Sequence, residues 1–239
     1  MKLDVLAVGA HPDDVELGCG GTVALLARRG LAVGILHLTR GEAGTRGTIE
    51  ERRAEAEKAA SILGAGTVEF LDFGDGGLRT GTAEEDELIT VIRRLRPEMI
   101  LAPAPADRHP DHGRAYHLIT DCCYYAGLAK RGSGKAYRPA ALFSYMQHDP
   151  FEPNFVIDVG STWELKMEAL KVYRSQLYQD DSERDEPATK VASREFREAV
   201  VGRAQHYGLL IGAAYGEPFW SRVPLAVADP WMLLPRGLR

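Results

Sequence analysis

The stretch that decides the fold is Ala10-His11-Pro12-Asp13-Asp14-Val15-Glu16-Leu17-Gly18. It follows a short apolar run at residues 5–8 and precedes a glycine-rich segment that begins a predicted helix. His11, Asp13 and Asp14 therefore lie where a strand passes into a helix. In an open α/β sheet, ligands bind outside the carboxyl ends of the strands, which is this position. The stretch thus predicts both a strand–helix unit and a functional site.

A second charged segment, Asp107-Arg108-His109-Pro110-Asp111-His112-Gly113, follows another apolar run at residues 99–102. If both runs are parallel strands, the two segments reach the same edge of one sheet. His11, Asp14 and His112 could then bind one metal ion. Two imidazoles and one carboxylate suit catalytic Zn²⁺, although Fe²⁺, Co²⁺ and Mn²⁺ accept the same ligands.

The remaining charged side chains of the two segments suit acid–base catalysis. Asp13 is the candidate general base, because it neighbours the ligand Asp14 and should face the open coordination position. His109 could stabilise the oxyanion of a tetrahedral intermediate or protonate a leaving amine. Asp111 could accept a hydrogen bond from the His109 ring and fix its tautomer. This arrangement predicts metal-assisted hydrolysis of an amide.

A simpler explanation exists for each segment alone. Two aspartates after a proline often only form a turn and cap a helix, and a lone histidine is often an ordinary loop residue. The shared metal site is favoured because both segments follow predicted parallel strands.

Composition excludes several classes of protein. The chain has 239 residues, of which 45% are hydrophobic and 26% charged, as in soluble globular proteins. The net charge of −5 argues against nucleic-acid binding, and no apolar run is long enough to span a membrane. Cys19, Cys122 and Cys123 do not have the spacing of a disulfide framework, so we expect a cytoplasmic protein.

The first half of the chain alternates predicted strands and helices. This alternation is typical of a parallel sheet, and it predicts a Rossmann-like three-layer α/β/α sandwich with a mostly parallel sheet. We expect one domain over residues 1–239, in which 1–130 form the core with the metal site and 131–239 complete it. The predicted strands of the first half are 3–9, 32–39, 67–71 and 98–102, and the helices are 16–29, 48–63, 84–95 and 111–129.

The second half is less regular. Strands are predicted at 141–147 and 155–159 and helices at 161–175 and 194–211. Residues 179–190 are rich in charge and predict an exposed, mobile loop. The stretch from Gly216 contains four prolines and three aromatic residues, which suggests a tail that lies on a neighbouring surface or on another subunit.

The two charged segments closely resemble the AHPDD and HxDH motifs of the zinc-dependent N-deacetylases called the PIG-L/LmbE family. The resemblance is strongest to the branch that acts in bacillithiol biosynthesis, and it covers nearly the whole chain. One departure is visible, because Asp72-Phe73-Gly74 stands where the branch usually has Gly-Leu-Pro. The other matching pieces are residues 38–48, 75–78, 106–113, 171–176 and 211–219.

The resemblance implies a role for each residue of the motifs. His11, Asp14 and His112 would be the zinc ligands, Asp13 the general base, and His109 the acid or oxyanion partner. The implied substrate is a small N-acetyl amino sugar, N-acetylglucosaminyl malate in this branch, which would be hydrolysed to the free amine and acetate. The family often forms homo-oligomers, trimers or hexamers.

Three residues are candidates for substrate binding. Asp75 lies in a glycine-flanked loop and could bind a sugar hydroxyl, or it could only cap a turn. Arg108 could bind a carboxylate through two hydrogen bonds. Arg53 resembles a position that the family keeps, although arginines on such a helix most often form exposed ion pairs.

Other functions remain open at this stage. Within the family, the enzyme could deacetylate another N-acetyl sugar or cleave a thiol conjugate as an amidase. A nucleotide-binding Rossmann domain is disfavoured, because Gly18-Cys19-Gly20-Gly21 lacks the G-x-G-x-x-G spacing. A catalytically silent metal-binding module is the third alternative.

Overall fold

A seven-stranded sheet forms the centre of the protein. The structure, a computed structural model, describes residues 2–178, 187, 189–229 and 231. The strand order across the sheet is β3-β2-β1-β4-β5-β7-β6, and β1 to β5 are parallel. The strands are β1 (Val5–Gly9), β2 (Val33–His37), β3 (Thr67–Phe70), β4 (Met99–Ala102), β5 (Ala141–Tyr145), β6 (Phe155–Asp158) and β7 (Gly216–Trp220).

Helices cover both faces of the sheet, and each face has its own apolar core. One core joins the sheet to the layer in which α5 packs on α1 and α2, and it also includes residues of α6. The other joins the sheet to α3 and α4, which pack on each other. This arrangement confirms the predicted α/β fold with a mostly parallel sheet. The helices are α1 (Asp14–Arg28), α2 (Ile49–Leu63), α3 (Thr82–Leu95), α4 (Pro110–Ala126), α5 (Trp163–Val172) and α6 (Arg194–Ile211), with a 3₁₀ turn at Gly160–Thr162.

The central strands are apolar except for His37 at the end of β2, because helices bury both of their faces. All five residues of β1 and of β2 are buried. β1 lies between β2 and β4, so the loops that follow β1 and β4 leave the sheet side by side. The topology therefore brings the two charged segments of the sequence together.

A buried ion pair supports a break in α1. Cys19 has non-helical torsion angles, φ −145° and ψ 23°. Beyond the break, the amides of Gly21 and Thr22 donate to the carboxylate of Glu217, at 2.9 and 2.7 Å. Lys166 Nζ lies 2.6 Å from that carboxylate, and both side chains are buried. Glu217, which lies on β7, thus caps the second part of the helix.

The prediction of a tail from Gly216 is wrong. Residues Gly216–Trp220 form β7, which lies antiparallel between β5 and β6. Phe219 is 1% exposed and stacks on Phe155 at 5.4 Å. The strand is difficult to predict from the sequence because it contains Pro218, and proline is rare inside sheets. In the structure, Pro218 pairs with Val156.

Two further expectations concern the second half. Most of the loop predicted at 179–190 lies outside the described residues. No helix in the described part of the chain is both long and apolar enough to cross a membrane.

Candidate metal centre

The loops after β1 and β4 each lead directly into a helix. Asp13 immediately precedes α1 and has a positive φ of 102°, a conformation that is uncommon for residues other than glycine. His109 caps α4, because its Nδ1 accepts the amide of Asp111 at 3.2 Å. Pro110 at the first turn of α4 suits a helix start. Both charged segments are therefore held by helix N-termini at one edge of the sheet.

Asp14 contacts both histidines that the sequence proposes as ligands. Its Oδ2 lies 3.4 Å from His11 Nδ1, and its Oδ1 lies 3.3 Å from His112 Nε2. The His11 amide donates to the same carboxylate at 2.8 Å. His11, Asp14 and His112 are 7%, 2% and 1% exposed, so they meet in a buried position.

The second nitrogen of each imidazole is bound by a carboxylate. His112 Nδ1 lies 3.0 Å from Asp107, and His11 Nε2 lies 3.1 Å from Asp75 and 3.3 Å from Asp111. Although burial opposes protonation, Asp14 and Asp107 raise the pKa of His112 to about 9. Carboxylates in this position typically orient histidines that bind metals.

The donor set fits a divalent cation. Ligands that surround a tetrahedral zinc at about 2.0–2.1 Å are themselves about 3.4 Å apart, which is the separation of Asp14 from each ring. The aspartates around the two imidazoles outnumber them, so the site carries excess negative charge. Among the described residues, three trios have ligand atoms within 4.8 Å of one another, each with His11 or His112 and none with Asp14: His11, His109 and His112; Asp107, His112 and His148; and His11, Asp75 and Asp111.

The predicted role of Asp111 as a partner of the His109 ring does not agree with the geometry. The Asp111 carboxylate accepts the amides of Gly76 and Leu78, at 2.8 and 3.1 Å, and contacts His11 instead. Only the backbone amide of Asp111 reaches the His109 ring. The loop after β3 therefore fixes the carboxylate on the side of His11.

Asp13 faces the same cleft beside a buried arginine. Burial raises the pKa of Asp13 to about 7, against the opposing effect of Arg52. The Arg52 guanidinium lies 4.0 Å from Asp13 and donates to the carbonyls of Pro12 and Gly41, at 2.7 and 3.0 Å. Arg52 thus joins the loop after β1 to the loop after β2.

The inward role expected for Arg53 is wrong. Its side chain is 62% exposed and pairs with Glu57 at 2.9 Å along the helix surface. Arg52 faces inward because it shares a helix face with Ala56, Ala59 and Leu63, which are also buried. Helical periodicity in the sequence could have identified Arg52.

The cleft has a volume of about 350 Å³. Asp75 and Arg108 line it, as the sequence predicts for substrate-binding residues, but both oxygens of Asp75 already contact His11 and the Ala43 amide. His109 also lines it, and burial together with the neighbouring histidines lowers the pKa of its ring. Gln147, which the sequence did not indicate, lines the cleft and donates to Asp14 at 2.5 Å.

Comparisons with known proteins agree with this fold. The family model described as GlcNAc-PI de-N-acetylase, PIG-L, matches residues 6–123. A diacetylchitobiose deacetylase of Thermococcus kodakarensis is 32% identical over 226 residues, which cover 89% of this chain and 80% of that protein. The chain belongs to the PIG-L family.

Two other proteins are also similar to this chain. The crystal structure of a conserved protein from Thermus thermophilus, TT1542, has a TM-score of 0.87 and 39% identity, covering 96% of this chain and 98% of the other. A 4-oxalmesaconate hydratase of Pseudomonas putida is 32% identical over 189 residues, which cover 72% of this chain and 73% of that protein. Relatives of this chain therefore include both a deacetylase and a hydratase.

Proposed function

We propose that this protein is a metal-dependent deacetylase that hydrolyses the acetamido group of an N-acetylglucosamine conjugate. The observation that carries the proposal is the arrangement of His11 and His112. Each ring has one nitrogen next to Asp14 and the other against a second carboxylate. The similarity to a diacetylchitobiose deacetylase supports an N-acetyl sugar as the substrate.

His11, Asp14 and His112 would hold the cation, with zinc as the first candidate and iron, cobalt or manganese as alternatives. When bound, a divalent cation polarises the amide carbonyl and lowers the pKa of water. Asp107 and Asp75 keep the two imidazoles in the orientation and tautomer that ligation needs.

Asp13 would carry out the proton transfers, and His109 would stabilise the charge that develops on the amide oxygen. Asp13 lines the cleft and would accept a proton from the attacking water. The amide of Asp111 donates to His109 Nδ1, so a neutral His109 ring carries its proton on Nε2. That N–H can stabilise the developing oxyanion, and the leaving amine can take the proton that Asp13 has accepted from the water.

The particular conjugate is a finer proposal. N-acetylglucosaminyl malate is our first candidate, because the sequence resembles the bacillithiol branch over nearly its whole length. Another N-acetyl sugar or a thiol conjugate is the alternative within the same chemistry. Arg108 lines the cleft and can meet an acidic group of the substrate.

Hydration of a carbon–carbon double bond is the competing function, because a hydratase is 32% identical to this chain. The purified protein, loaded in turn with zinc, cobalt, manganese or iron, should release amine and acetate from N-acetylglucosaminides. An assay of water addition to an unsaturated dicarboxylic acid serves as the comparison. Hydration without any release of amine would overturn the deacetylase proposal.

We also propose that the protein forms a homo-oligomer. Leu209 and Leu210 at the end of α6 are 76% and 63% exposed, and Val223 nearby in the chain is 65% exposed. Exposed apolar side chains of this kind often mark protein interfaces. Light scattering of the purified protein should give the mass of a trimer or a hexamer, and a monomer would contradict this.

A further inference from the structure

A second groove adjoins the cleft on the side of α6. It has a volume of about 530 Å³ and lies between residues 146–150, which follow β5, and α6. Arg108, Gln147, His148 and Lys190 line both the groove and the cleft. The two spaces therefore lie next to each other.

The His148 ring forms the boundary between the candidate metal centre and the groove. It stacks on His112, with ring centroids 5.5 Å apart and planes 9° apart. It also lies 5.7 Å from the ring of Phe196, which belongs to α6 and lines the groove. The His148 ring thus lies between His112 and the groove. A substrate whose amide lies at the metal centre can place its next chemical group there.

Arg203 gives the groove a largely buried positive charge without a matching carboxylate. Its guanidinium donates to the backbone carbonyls of Gln147 and of Leu17, the latter at 3.4 Å. Both partners are neutral, and no carboxylate among the described residues forms an ion pair with it. Burial lowers the pKa of Arg203, against the opposing effect of the more distant carboxylates of Glu217 and Asp107.

Among the described residues that line the groove, positively charged side chains outnumber negatively charged ones. Arg108 and Lys190 line the groove at its border with the cleft. Asp149 is the carboxylate in the described lining. Phe196 and Tyr207 supply apolar surface between these charges. The groove therefore combines a hydrophobic wall with a net positive charge.

We propose, building on the proposed deacetylase function, that this groove binds the aglycone of the substrate and selects an aglycone with an anionic group, a carboxylate or a phosphate. The acetamido sugar occupies the cleft, and the acidic group occupies the space next to Arg203. Arg108 at the border completes the binding of the anion.

Three matched substrates test this proposal: the 2-hydroxyethyl, carboxymethyl and 2-phosphoethyl glycosides of N-acetylglucosamine. We expect kcat/KM to be about tenfold higher for one or both acidic glycosides than for the neutral glycoside, mainly through KM. The preference should weaken at high salt, and the two acidic glycosides distinguish a carboxylate site from a phosphate site.

The decisive quantity is the ratio of kcat/KM for the acidic and neutral glycosides. Arg203→Gln and Arg108→Gln should each lower this ratio severalfold, whereas Arg203→Lys should keep most of it. Arg29→Gln, an exposed arginine at the end of α1, removes the same charge and should leave the ratio unchanged. Because only the ratio is read, a general loss of activity in Arg203→Gln does not obscure the result.

Two outcomes would overturn the proposal in distinguishable ways. If the wild-type protein hydrolyses the three glycosides equally well, the anion site is wrong while the deacetylase function stands. A ratio that stays constant in Arg203→Gln and Arg108→Gln has the same meaning. If none of the glycosides is hydrolysed, the deacetylase function itself fails, and this inference fails with it.

Discussion

The side-chain amide of Gln147 donates to Oδ1 of Asp14 at 2.5 Å, and both residues are buried. Asp14 is the residue that contacts both candidate histidine ligands. Arg203 in turn binds the carbonyl of Gln147, and Asp107 accepts the next two amides, of His148 and Asp149. The loop after β5 thus orients two residues of the metal centre, Asp14 through a side chain and His112 through Asp107.

Replacing Gln147 should weaken metal binding. In Gln147→Leu the carboxylate of Asp14 loses a fixed donor, and we expect the affinity for Zn²⁺ to fall by about 10–100-fold. Competition with a chromogenic chelator measures this directly. Gln205→Leu, on the exposed face of α6, is the matched control and should bind zinc like the wild type. Equal affinity in the two variants would show that Gln147 does not orient Asp14.

Asp13 should be needed for turnover and not for metal binding. Asp13→Asn keeps the size of the side chain but cannot accept a proton from water. We expect kcat for deacetylation to fall by about 10²–10⁴-fold while the metal content stays at the wild-type level. Metal analysis and steady-state kinetics on the same sample separate the two effects. Wild-type kcat in Asp13→Asn would rule out Asp13 as the general base.

Arg52 and Arg53 are adjacent in sequence and should behave oppositely. Arg52→Met leaves the carbonyls of Pro12 and Gly41 without their charged donor, so we expect a loss of about 2 kcal/mol in the free energy of unfolding. Arg53→Met removes only an exposed pair with Glu57, and we expect a change below about 0.5 kcal/mol. Urea titrations of both variants provide the comparison. Similar losses in the two variants would contradict the assigned faces of α2.

Glu16 should make the protein less stable as the pH rises. Burial raises the pKa of Glu16 to about 8, from an ordinary value of 4.5, and only Tyr173 donates to its carboxyl among the described side chains. The unfolded chain therefore loses this proton at lower pH than the folded protein does. The contribution to stability is complete below pH 4.5 and declines as the pH rises to about 8.

Glu16→Gln keeps an uncharged side chain at every pH and tests this prediction. Its free energy of unfolding relative to that of the wild type should increase between about pH 5 and about pH 8, by at most about 1.4 kcal/mol per pH unit. Denaturant titrations at several pH values supply the data. A difference between the two proteins that does not vary with pH would mean that Glu16 is ionised in the folded state.

The sequence predicted the parts of this protein that have local signals. β1 and β4 are short apolar runs, and the charged segments directly follow them, so their meeting at one sheet edge follows from parallel pairing. Gln147 could not be found in this way, because its partner Asp14 is 133 residues away. Long-range contacts of this kind depend on the order of the strands in the sheet. The alternation of strands and helices along the sequence does not determine that order.

The errors also have identifiable causes. The family resemblance indicates Arg53 but takes no account of the phase of the helix, which buries Arg52 with Ala56 and Leu63. Asp111 was assigned to His109 because the two are close in sequence, whereas amides of the loop after β3 hold its carboxylate toward His11.

The most direct test of the metal centre is the metal content of the purified protein, measured together with amine release before and after chelation. We predict about one divalent metal ion per chain in the wild type and far less in His112→Ala. Chelation should abolish the release of amine from an N-acetylglucosaminide, and adding metal back should restore it. Full release by protein from which all metal has been removed would contradict the account.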